Sequence, residues 1–452
     1  MRATNVKPPA QPATTRVGSQ QSTGGSTTDD YRLPTADGRP GQTTRAARLR
    51  VGLARGFSAL AVRNYRLYWF GQLISQTGSW MQTTAQAWLV LQLTQSPLAL
   101  GLVTTLQFLP IMLLSLVGGV ISDRVEKHRL VLVMQAAALV QALIFATLVA
   151  LGAVQLWHVY VLAALQGIIT AIDNPARQAF AVELAGRERL VNAVALNSML
   201  FNGARIIGPA LAGLIIGQYG IAPVLYLNAI SFVAVIGGLL MMDRAQFFHT
   251  VAPGGGPAGQ RLREGLDYVW RTPSVMLIMI VVAAIGTFGY NFSVVLPLLA
   301  GFVLHTSATG FGGLSAFLGL GSLVGAIGTA YTQKITLRRL VLGSLAFGLL
   351  LGALALSTSL AVSGALLVAL GFAGILFSTS ANSLLQLKTP DELRGRVMGL
   401  YMLLFAGSTP IGGLLIGSLS NVIGVPLTLL LCAALCLIGV GIALVYRWRT
   451  DR

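Results

Sequence analysis

Residues 202–213 read Asn-Gly-Ala-Arg-Ile-Ile-Gly-Pro-Ala-Leu-Ala-Gly and lie inside an apolar run from about 192 to 217. At ~1.5 Å per residue in a helix, such a run is long enough to cross a lipid bilayer. Arg205 lies near its middle, where a charge is costly unless it faces a partner or a water-filled path. Gly208-Pro209 should interrupt the helix, because proline removes a backbone donor. The stretch therefore predicts either a functional charge inside a membrane or a structural Arg bonded to carbonyls beside a kink.

The composition of the whole chain is typical of an integral membrane protein. Of its 452 residues 54% are hydrophobic and 10% are charged, and the mean hydropathy is +0.73; soluble domains carry about 25% charged residues. Cys432 and Cys436 share one helix face and are interpreted as packing residues, and the four histidines are too scattered to bind a metal. Because no nucleophile motif, phosphate loop or carboxylate pair is evident, we expect no enzyme, cofactor or metal site.

The net charge of +17 is explained better by membrane topology than by nucleic-acid binding. Arg and Lys cluster before the first apolar segment, in every second connection and at the carboxyl end, whereas the alternate connections carry none. Cytoplasmic loops of membrane proteins are enriched in these two residues. We therefore expect an even number of spans, both termini in the cytoplasm, and no nucleic-acid partner.

Twelve apolar segments are long enough to be tilted membrane helices, which predicts an all-α integral membrane fold. They lie at residues 67–93, 98–121, 130–152, 157–174, 192–217, 222–242, 274–304, 310–333, 338–357, 361–383, 396–421 and 425–446. The predicted organisation is a disordered cytoplasmic arm (1–55), a first six-helix half (56–242), a central cytoplasmic loop (243–273), a second six-helix half (274–446) and a cytoplasmic tail (447–452).

Two features of this organisation are readable from the sequence. In the central loop, Leu262, Leu266 and Val269 or Trp270 recur at helical spacing opposite charges, which predicts an amphipathic helix at the membrane surface. The halves also look repeated, since the Gly-Pro of the fifth segment is echoed by Thr409-Pro410 in the eleventh. Two six-helix repeats around a midplane cavity form a common plan for secondary transporters.

The first apolar segment carries a polar stripe at steps of three and four residues. Its members are Gln72, Ser75, Ser79, Gln82 and Gln86. In lipid such a stripe must face the helix bundle, where it either lines a substrate path or forms helix–helix hydrogen bonds. The seventh segment has a weaker counterpart in Tyr290 and Asn291. Uncharged polar groups with aromatics suit a bulky amphipathic ligand better than a small ion.

The connection between the second and third segments reads Gly-Val-Ile-Ser-Asp-Arg-Val-Glu-Lys-His-Arg over residues 119–129. It resembles the signature loop of the major facilitator superfamily, although Glu126 stands where the family has its second glycine. The resemblance implies a cytoplasmic gate in which Asp123, Arg124 and Arg129 hold the two halves together in one state and release them in another.

Residues 202–213 in turn resemble the antiporter motif of that family, which accompanies export. The matching positions are Gly203, Gly208, Pro209 and Gly213. Small residues there permit close packing and bending, so these four and Pro410 are the expected bending points. Proton antiport is implied by the family alone, because the first segment lacks the membrane-embedded acid that many members use.

Roughly residues 57–446 are similar to the bacterial branch that contains enterobactin-type siderophore exporters and macrolide efflux pumps. The similarity is carried by Asn64-Tyr-Arg-Leu67 with Gly71-Gln72 and Trp80-Met-Gln82, by residues 173–178, by residues 197–209 and by residues 393–398. It implies a monomeric, proton-driven exporter of a moderately large organic compound in the bacterial cytoplasmic (inner) membrane.

We therefore expect three groups of site residues. The substrate cavity would contain Arg205, Gln72, Ser79, Gln82, Gln86, Tyr290 and Asn291. The gate would contain Asp123, Arg124 and Arg129, with Asp173 and Arg177 beside it as an i,i+4 ion pair. Asp173 is also the deepest carboxylate expected, so Asp123 and Asp173 are the candidates for proton coupling.

Two alternatives stay open. A facilitator or importer of a polar solute would accumulate a compound that an exporter depletes. A non-transporting scaffold or sensor acting through the arm would need residues 1–55 but not Arg205. The mid-membrane Arg disfavours the scaffold, which has no use for a charge at that depth.

Overall fold

The computed structural model describes residues 57–248, 258–331 and 335–450, and these ranges contain helices and no strand. The predicted disordered arm at residues 1–55 lies outside the described residues, as do parts of the central loop and the last two residues of the tail. The all-α fold class is confirmed.

Six long helices come first. They are α1 (Arg63–Thr94), α2 (Pro97–Arg124), α3 (Lys127–Ala150), α4 (Leu156–Ala185), α5 (Leu190–Tyr219) and α6 (Ile221–Leu240). A shorter helix, α7 (Ala258–Arg271), follows in the central loop. The second set is α8 (Pro273–Ala284), α9 (Phe292–Leu298), α10 (Ala308–Tyr331), α11 (Leu337–Ala355), α12 (Leu360–Lys388), α13 (Asp391–Phe405), α14 (Thr409–Ile423) and α15 (Val425–Thr450).

Eleven stretches of the described residues are long and apolar enough to cross a membrane. Two of them combine broken helices: Pro273–Val303 contains α8 and α9, and Asp391–Ile423 contains α13 and α14. The 32-residue α1 is not among the eleven, because its polar stripe lowers its hydropathy. Twelve spans would require α1 to cross the membrane as well, so that count stays a prediction.

The helices after α7 repeat the packing partners of those before it. In the first set α2 packs along α4, α3 packs between α4 and α6, and α1 packs along α6. In the second set α10 packs along α12, α11 packs between α12 and α15, and α8 packs along α15. The sets meet where α2 packs on α14 and α5 packs on α10. This is the pattern that a duplicated six-helix unit produces.

Glycines allow close backbone contacts between the two sets. A Cβ atom added to Gly213 would lie 2.7 Å from the Cα of Gly312, and one added to Gly101 would lie 2.6 Å from the carbonyl oxygen of Gly413. Neither position has room for a side chain, so the helices approach backbone to backbone. We call the end of the bundle with the Arg- and Lys-rich connections the basic end. These glycine contacts lie toward the opposite end.

The helix α5 runs unbroken through Gly208 and Pro209, so the predicted interruption is wrong. Proline within a membrane helix removes one donor, here the partner of the Arg205 carbonyl four residues earlier, and the rest of the helix continues. Gly208 instead provides room for α1, because a Cβ atom there would lie 2.6 Å from the Cβ of Trp80.

The helix breaks occur in two other membrane segments. A π-helical turn at Ile285–Gly289 follows α8, and the chain leaves the helix at Tyr290 and Asn291 before α9 begins. A turn at residues 406–408 separates α13 from α14, and Pro410 lies in the first turn of α14. Irregular backbone of this kind is tolerated in a membrane where it is buried in protein or lines a cavity.

The helix α7 is the helix predicted in the central loop. Its buried residue Val269 and the ion pair between Glu264 and Arg396 fix it to α13. Leu266 and Trp270 are exposed, at 50% and 76%, as an interfacial helix requires. The side chain of Leu262 lies outside the described residues.

Candidate functional site

A cavity of about 2290 Å³ lies between the two helix sets. Most of its wall is apolar and includes Phe108 of α2, Phe292 of α9 and Phe311 of α10. The wall extends to Arg177 and to Arg396, close to the connections of the basic end. Drug-sized ligands occupy cavities of about 300–1,000 Å³, so this space is large enough for a bulky organic compound.

Contacts between the two sets close the cavity at the end opposite the basic end. At the closed end, the Thr105 Oγ1 donates a hydrogen bond to the Pro410 carbonyl oxygen across the two sets at 2.9 Å. At the basic end, the ion pairs among the described residues each stay on one side, as Lys127 and Glu183 do at 2.8 Å. Glu392 and Gly395 on the cavity wall at the basic end are exposed, so the described conformation opens toward that end.

Arg205 lies on the cavity wall between the two sets. Its Cζ atom is 5.8 Å from the ring centroid of Trp80 on α1 and 5.7 Å from that of Tyr290 at the break before α9. Both distances are within the range of cation–π attraction. No described carboxylate forms an ion pair with Arg205. The predicted mid-membrane cation therefore faces the cavity rather than a fixed anion.

Asp173 is the buried carboxylate of the site, with 5% exposure. It accepts a hydrogen bond from Arg177 Nε at 2.9 Å, and Gln135 Nε2 donates to both of its oxygens at 3.1 and 3.3 Å. Arg177 also donates to Gln72 Oε1 at 2.8 Å and to Asn174 Oδ1 at 2.9 Å. The predicted i,i+4 ion pair is confirmed, and its hydrogen bonds connect α1, α3 and α4.

A second set of buried amides holds α1 against α3 and α6. Gln82 Nε2 donates to Gln141 Oε1 at 3.3 Å, and Asn228 Nδ2 donates to Gln82 Oε1 at 2.7 Å. Gln82 also lies on the cavity wall, together with Ser79 and Gln86. The polar stripe of α1 therefore both lines the cavity and forms helix–helix hydrogen bonds, and whether that cavity is a substrate path stays a prediction.

Gln72 and Asn291 do not line the cavity, which corrects the expectation for both. Gln72 is 2% exposed and is occupied by its bond with Arg177. Asn291 is fully buried, and its Nδ2 donates to the Thr287 carbonyl oxygen at 2.7 Å. The break before α9 turns Asn291 toward Gly412 of α14 instead of along the predicted stripe.

The predicted gate residues do not join the two sets in this conformation. Asp123 and Arg124 are exposed at the end of α2, and neither forms an ion pair with a described residue. Arg129 pairs with Glu126 at 2.6 Å, and Arg244 lies 3.8 Å from the same carboxylate. Glu126, which replaces the family's glycine, thus holds Arg129 of α3 and Arg244, which follows α6.

Of the predicted bending residues, Gly208 and Gly213 are contact positions and Gly203 is not. A Cβ atom at Gly203 would meet nothing within 4 Å. Pro209 lies inside α5, and Pro410 follows the break before α14. That the chain bends at any of these five residues during function stays a prediction.

The sequence reasoning missed Gln135, Gln141 and Trp80. The two glutamines are the amides in the otherwise apolar stretch 130–146 of α3, and a buried amide in lipid needs a partner, so a signal for them existed. Trp80 belongs to a stretch that carries the similarity to the bacterial branch, but nothing in that stretch places it beside Arg205. Its role beside Arg205 depends on the approach of α1 to α5.

Two sets of membrane helices around a cavity that is closed at one end form the architecture of a secondary transporter. The family described as "transmembrane secretion effector" matches residues 54–451, and the chain belongs to this family of major facilitator transporters. Membership of the major facilitator superfamily, inferred from the signature loop, is thus confirmed.

Curated relatives and solved structures agree with this assignment. The staphyloferrin A transporter of Staphylococcus aureus is 26% identical over 77% of this chain and 87% of its own length. The multidrug efflux pump Tap of Mycolicibacterium fortuitum is 27% identical over 82% of this chain and 93% of its own. A POT family transporter in complex with a thioalcohol-conjugated peptide superposes with a TM-score of 0.70 at 12% identity, covering 86% of this chain and 97% of that one. The last likeness concerns the fold alone.

Proposed function

We propose that this multi-pass transporter is a proton-coupled exporter of a drug-like or siderophore-like organic compound. It would act as a monomer in the bacterial cytoplasmic membrane, with both termini in the cytoplasm. The observation that carries the proposal is the cavity of about 2290 Å³ that opens toward the basic end. By the positive-inside rule that end faces the cytoplasm, so a cytoplasmic compound would enter it directly. The family's description as a secretion effector and the efflux named for Tap support the same direction.

For proton coupling we propose Asp173. Its carboxylate is held by Arg177 and Gln135 beside the cavity, and Arg177 in turn binds Gln72 of α1. A proton on the carboxylate would remove its charge and weaken the ion pair, which would free Arg177 and its link to α1. Protonation would in this way change how α1 and α4 are held together.

For the gate we propose Asp123, Arg124 and Arg129. All three are exposed at the basic end, where they are accessible to the second set once that end closes. The bending points proposed are Gly203, Gly208, Pro209, Gly213 and Pro410. In this scheme the glycine contacts toward the opposite end separate while the gate forms, which is the exchange that alternating access requires.

The proposal is tested by transport into inverted membrane vesicles under an imposed pH gradient. Macrolides, fluorescent cations and catecholate siderophores would be screened with the wild type, Arg205→Ala and Asp123→Asn. Arg449→Gln is the matched control, because it removes one exposed charge at the end of α15. Gradient-driven uptake in the wild type and control, reduced in the two variants, is the expected result.

Other results would favour the alternatives. A facilitator of a polar solute would equilibrate its substrate without a gradient, and an importer would deplete it from inverted vesicles. A scaffold would move nothing and would lose its function on deletion of residues 1–55. Uptake that survives Arg205→Ala would reduce that residue to a structural role.

A further inference from the structure

We propose that the compound this cavity takes is an anion, a carboxylate or phenolate joined to an aromatic or apolar body, and that Arg205 selects it. The inference rests on the proposed function, because it names the substrate class of the same cavity.

The two carboxylates on the described wall are poor partners for a cationic compound. Both oxygens of Asp173 already accept hydrogen bonds, from Arg177 and Gln135. Glu392 is exposed in the first turn of α13, where water and salt screen its charge. A cation entering the cavity would lose its hydration without gaining a free carboxylate, and this disfavours its binding.

Of the cations on the cavity wall, two have a carboxylate partner among the described residues and one has none. Arg177 is paired with Asp173, and Arg396 is paired with Glu264 of α7. Arg205 has no described carboxylate partner, so it gives the interior of the cavity a net positive charge. An anionic group would compensate that charge beside an apolar wall, whose low dielectric makes the attraction stronger than at an exposed surface.

The neighbours of Arg205 leave it able to bind an anion. Trp80 and Tyr290 attract the guanidinium through their ring faces, at 5.8 and 5.7 Å. A ring face satisfies the charge in part but does not occupy the N–H donors as a carboxylate does. Those donors are arranged to hold a carboxylate or a phenolate by charge-assisted hydrogen bonds.

The wall around this cation indicates what the anion is attached to. Phe108, Phe292 and Phe311 lie on the same wall, and most of its remaining surface is apolar. A small hydrophilic anion would leave that surface in water. A molecule with an apolar or aromatic body would cover it while its charged group reaches Arg205.

Binding of two dyes to the purified full chain in lipid nanodiscs tests the inference. Fluorescein and rhodamine 123 share a xanthene and phenyl framework, but the first is an anion at pH 8 and the second a cation. Fluorescence polarisation would give both dissociation constants at low and high salt. We expect fluorescein to bind at least about 10-fold more tightly, since hydrogen bonds to charged groups are among the stronger ones in proteins.

Variants of Arg205 then assign the preference to this residue. Arg205→Gln should weaken fluorescein binding by about 10-fold or more and leave rhodamine 123 unchanged or tighter. Arg205→Lys keeps the charge and should retain part of the preference, and Arg205→Glu should reverse it. Arg449→Gln is the control for a charge lost elsewhere, and a monodisperse elution profile identifies variants that still fold.

Weak or absent fluorescein binding, equal binding of rhodamine 123, or a preference that survives Arg205→Gln would each overturn the inference. These outcomes are distinct from failure of the proposed function. Vesicles that export cationic dyes but not anionic ones would keep the exporter and reject the anion site. Arg205-dependent fluorescein binding without transport of any compound would keep the anion site and reject the exporter.

Discussion

Arg177 donates a hydrogen bond to Gln72 at 2.8 Å and so ties the ion pair of α4 to α1. The same α1 carries Trp80 on the cavity wall and Gly78 against α6, where a Cβ atom would lie 2.5 Å from Ser231 Oγ. A change in the charge of Asp173 would therefore reach α1, which carries Trp80, through the side chains of Arg177 and Gln72.

The first prediction concerns proton coupling. Asp173→Asn removes the ionisable group and keeps its size, so uptake driven by a pH gradient should fall at least about 10-fold while gradient-independent substrate exchange continues. Transport into inverted vesicles, measured with and without the gradient, separates the two activities. Asp391→Asn is the control, because that carboxylate is exposed and pairs with Arg394 at the surface.

Normal gradient-driven uptake by Asp173→Asn would exclude this residue as the coupling site. Loss of exchange together with gradient-driven uptake would indicate a structural role instead.

The second prediction concerns the stability of the same ion pair. The Arg177 side chain is 15% exposed and the Asp173 side chain 7%. Asp173→Asn or Arg177→Gln alone leaves one nearly buried charge without its partner, so each should lower the free energy of unfolding by about 3 kcal/mol. The double variant removes both charges and should lose less than the sum of the two, with a coupling of about 0.5–3 kcal/mol. Thermal unfolding of the wild type, the two single variants and the double variant in one detergent measures this coupling. Additive losses would mean that the pair contributes no stability of its own.

Much of the fold could be read from the sequence, because a lipid environment imposes simple rules. The lengths of the apolar runs predicted the membrane segments, and the distribution of Arg and Lys predicted which end of the bundle faces the cytoplasm. The inward direction of the α1 stripe followed from the cost of polar groups in lipid: Gln82 and Gln86 are 4% and 3% exposed.

The errors arose where backbone geometry depends on packing. Pro209 was expected to break α5, but α5 continues because only one carbonyl loses its partner. The break before Asn291 occurs where neighbouring helices permit a π-helical turn, and no local residue pattern predicted it. The cation–π contacts of Arg205 likewise depend on how closely α1, α5 and the break before α9 approach one another.

The third prediction uses two glycines of α5 as a matched pair. Gly213→Ala would place a methyl group 2.7 Å from the Cα of Gly312, so it should separate α5 from α10 and destabilise the described conformation by about 1–3 kcal/mol. Gly203→Ala meets nothing within 4 Å and should be neutral or stabilise the helix by about 0.5–1 kcal/mol. Unfolding temperatures of the two variants compare them directly. Equal effects would show that the backbone contact does not restrict the closed end.

The fourth prediction concerns which end of the cavity is open to the cytoplasm. Both cysteines are buried, at 2% and 0% exposure, so the folded wild type should not react with a hydrophilic maleimide. In a Cys432→Ala, Cys436→Ala background, Thr329→Cys lies on the cavity wall near the basic end, and Ser307→Cys is exposed in the connection before α10. The first thiol should react in inverted vesicles and the second in right-side-out vesicles.

Each of those two variants is the control for the other, since they differ only in the end of the bundle that carries the thiol. The positive-inside rule predicts the basic end in the cytoplasm, and a cavity open at that end lets the reagent reach residue 329. If residue 329 reacts in right-side-out vesicles and residue 307 in inverted ones, the basic end lies outside the cell, which removes the argument for export. Labelling of residue 329 from neither side would mean that the cavity is closed in the membrane, and the described conformation would then be a minor one.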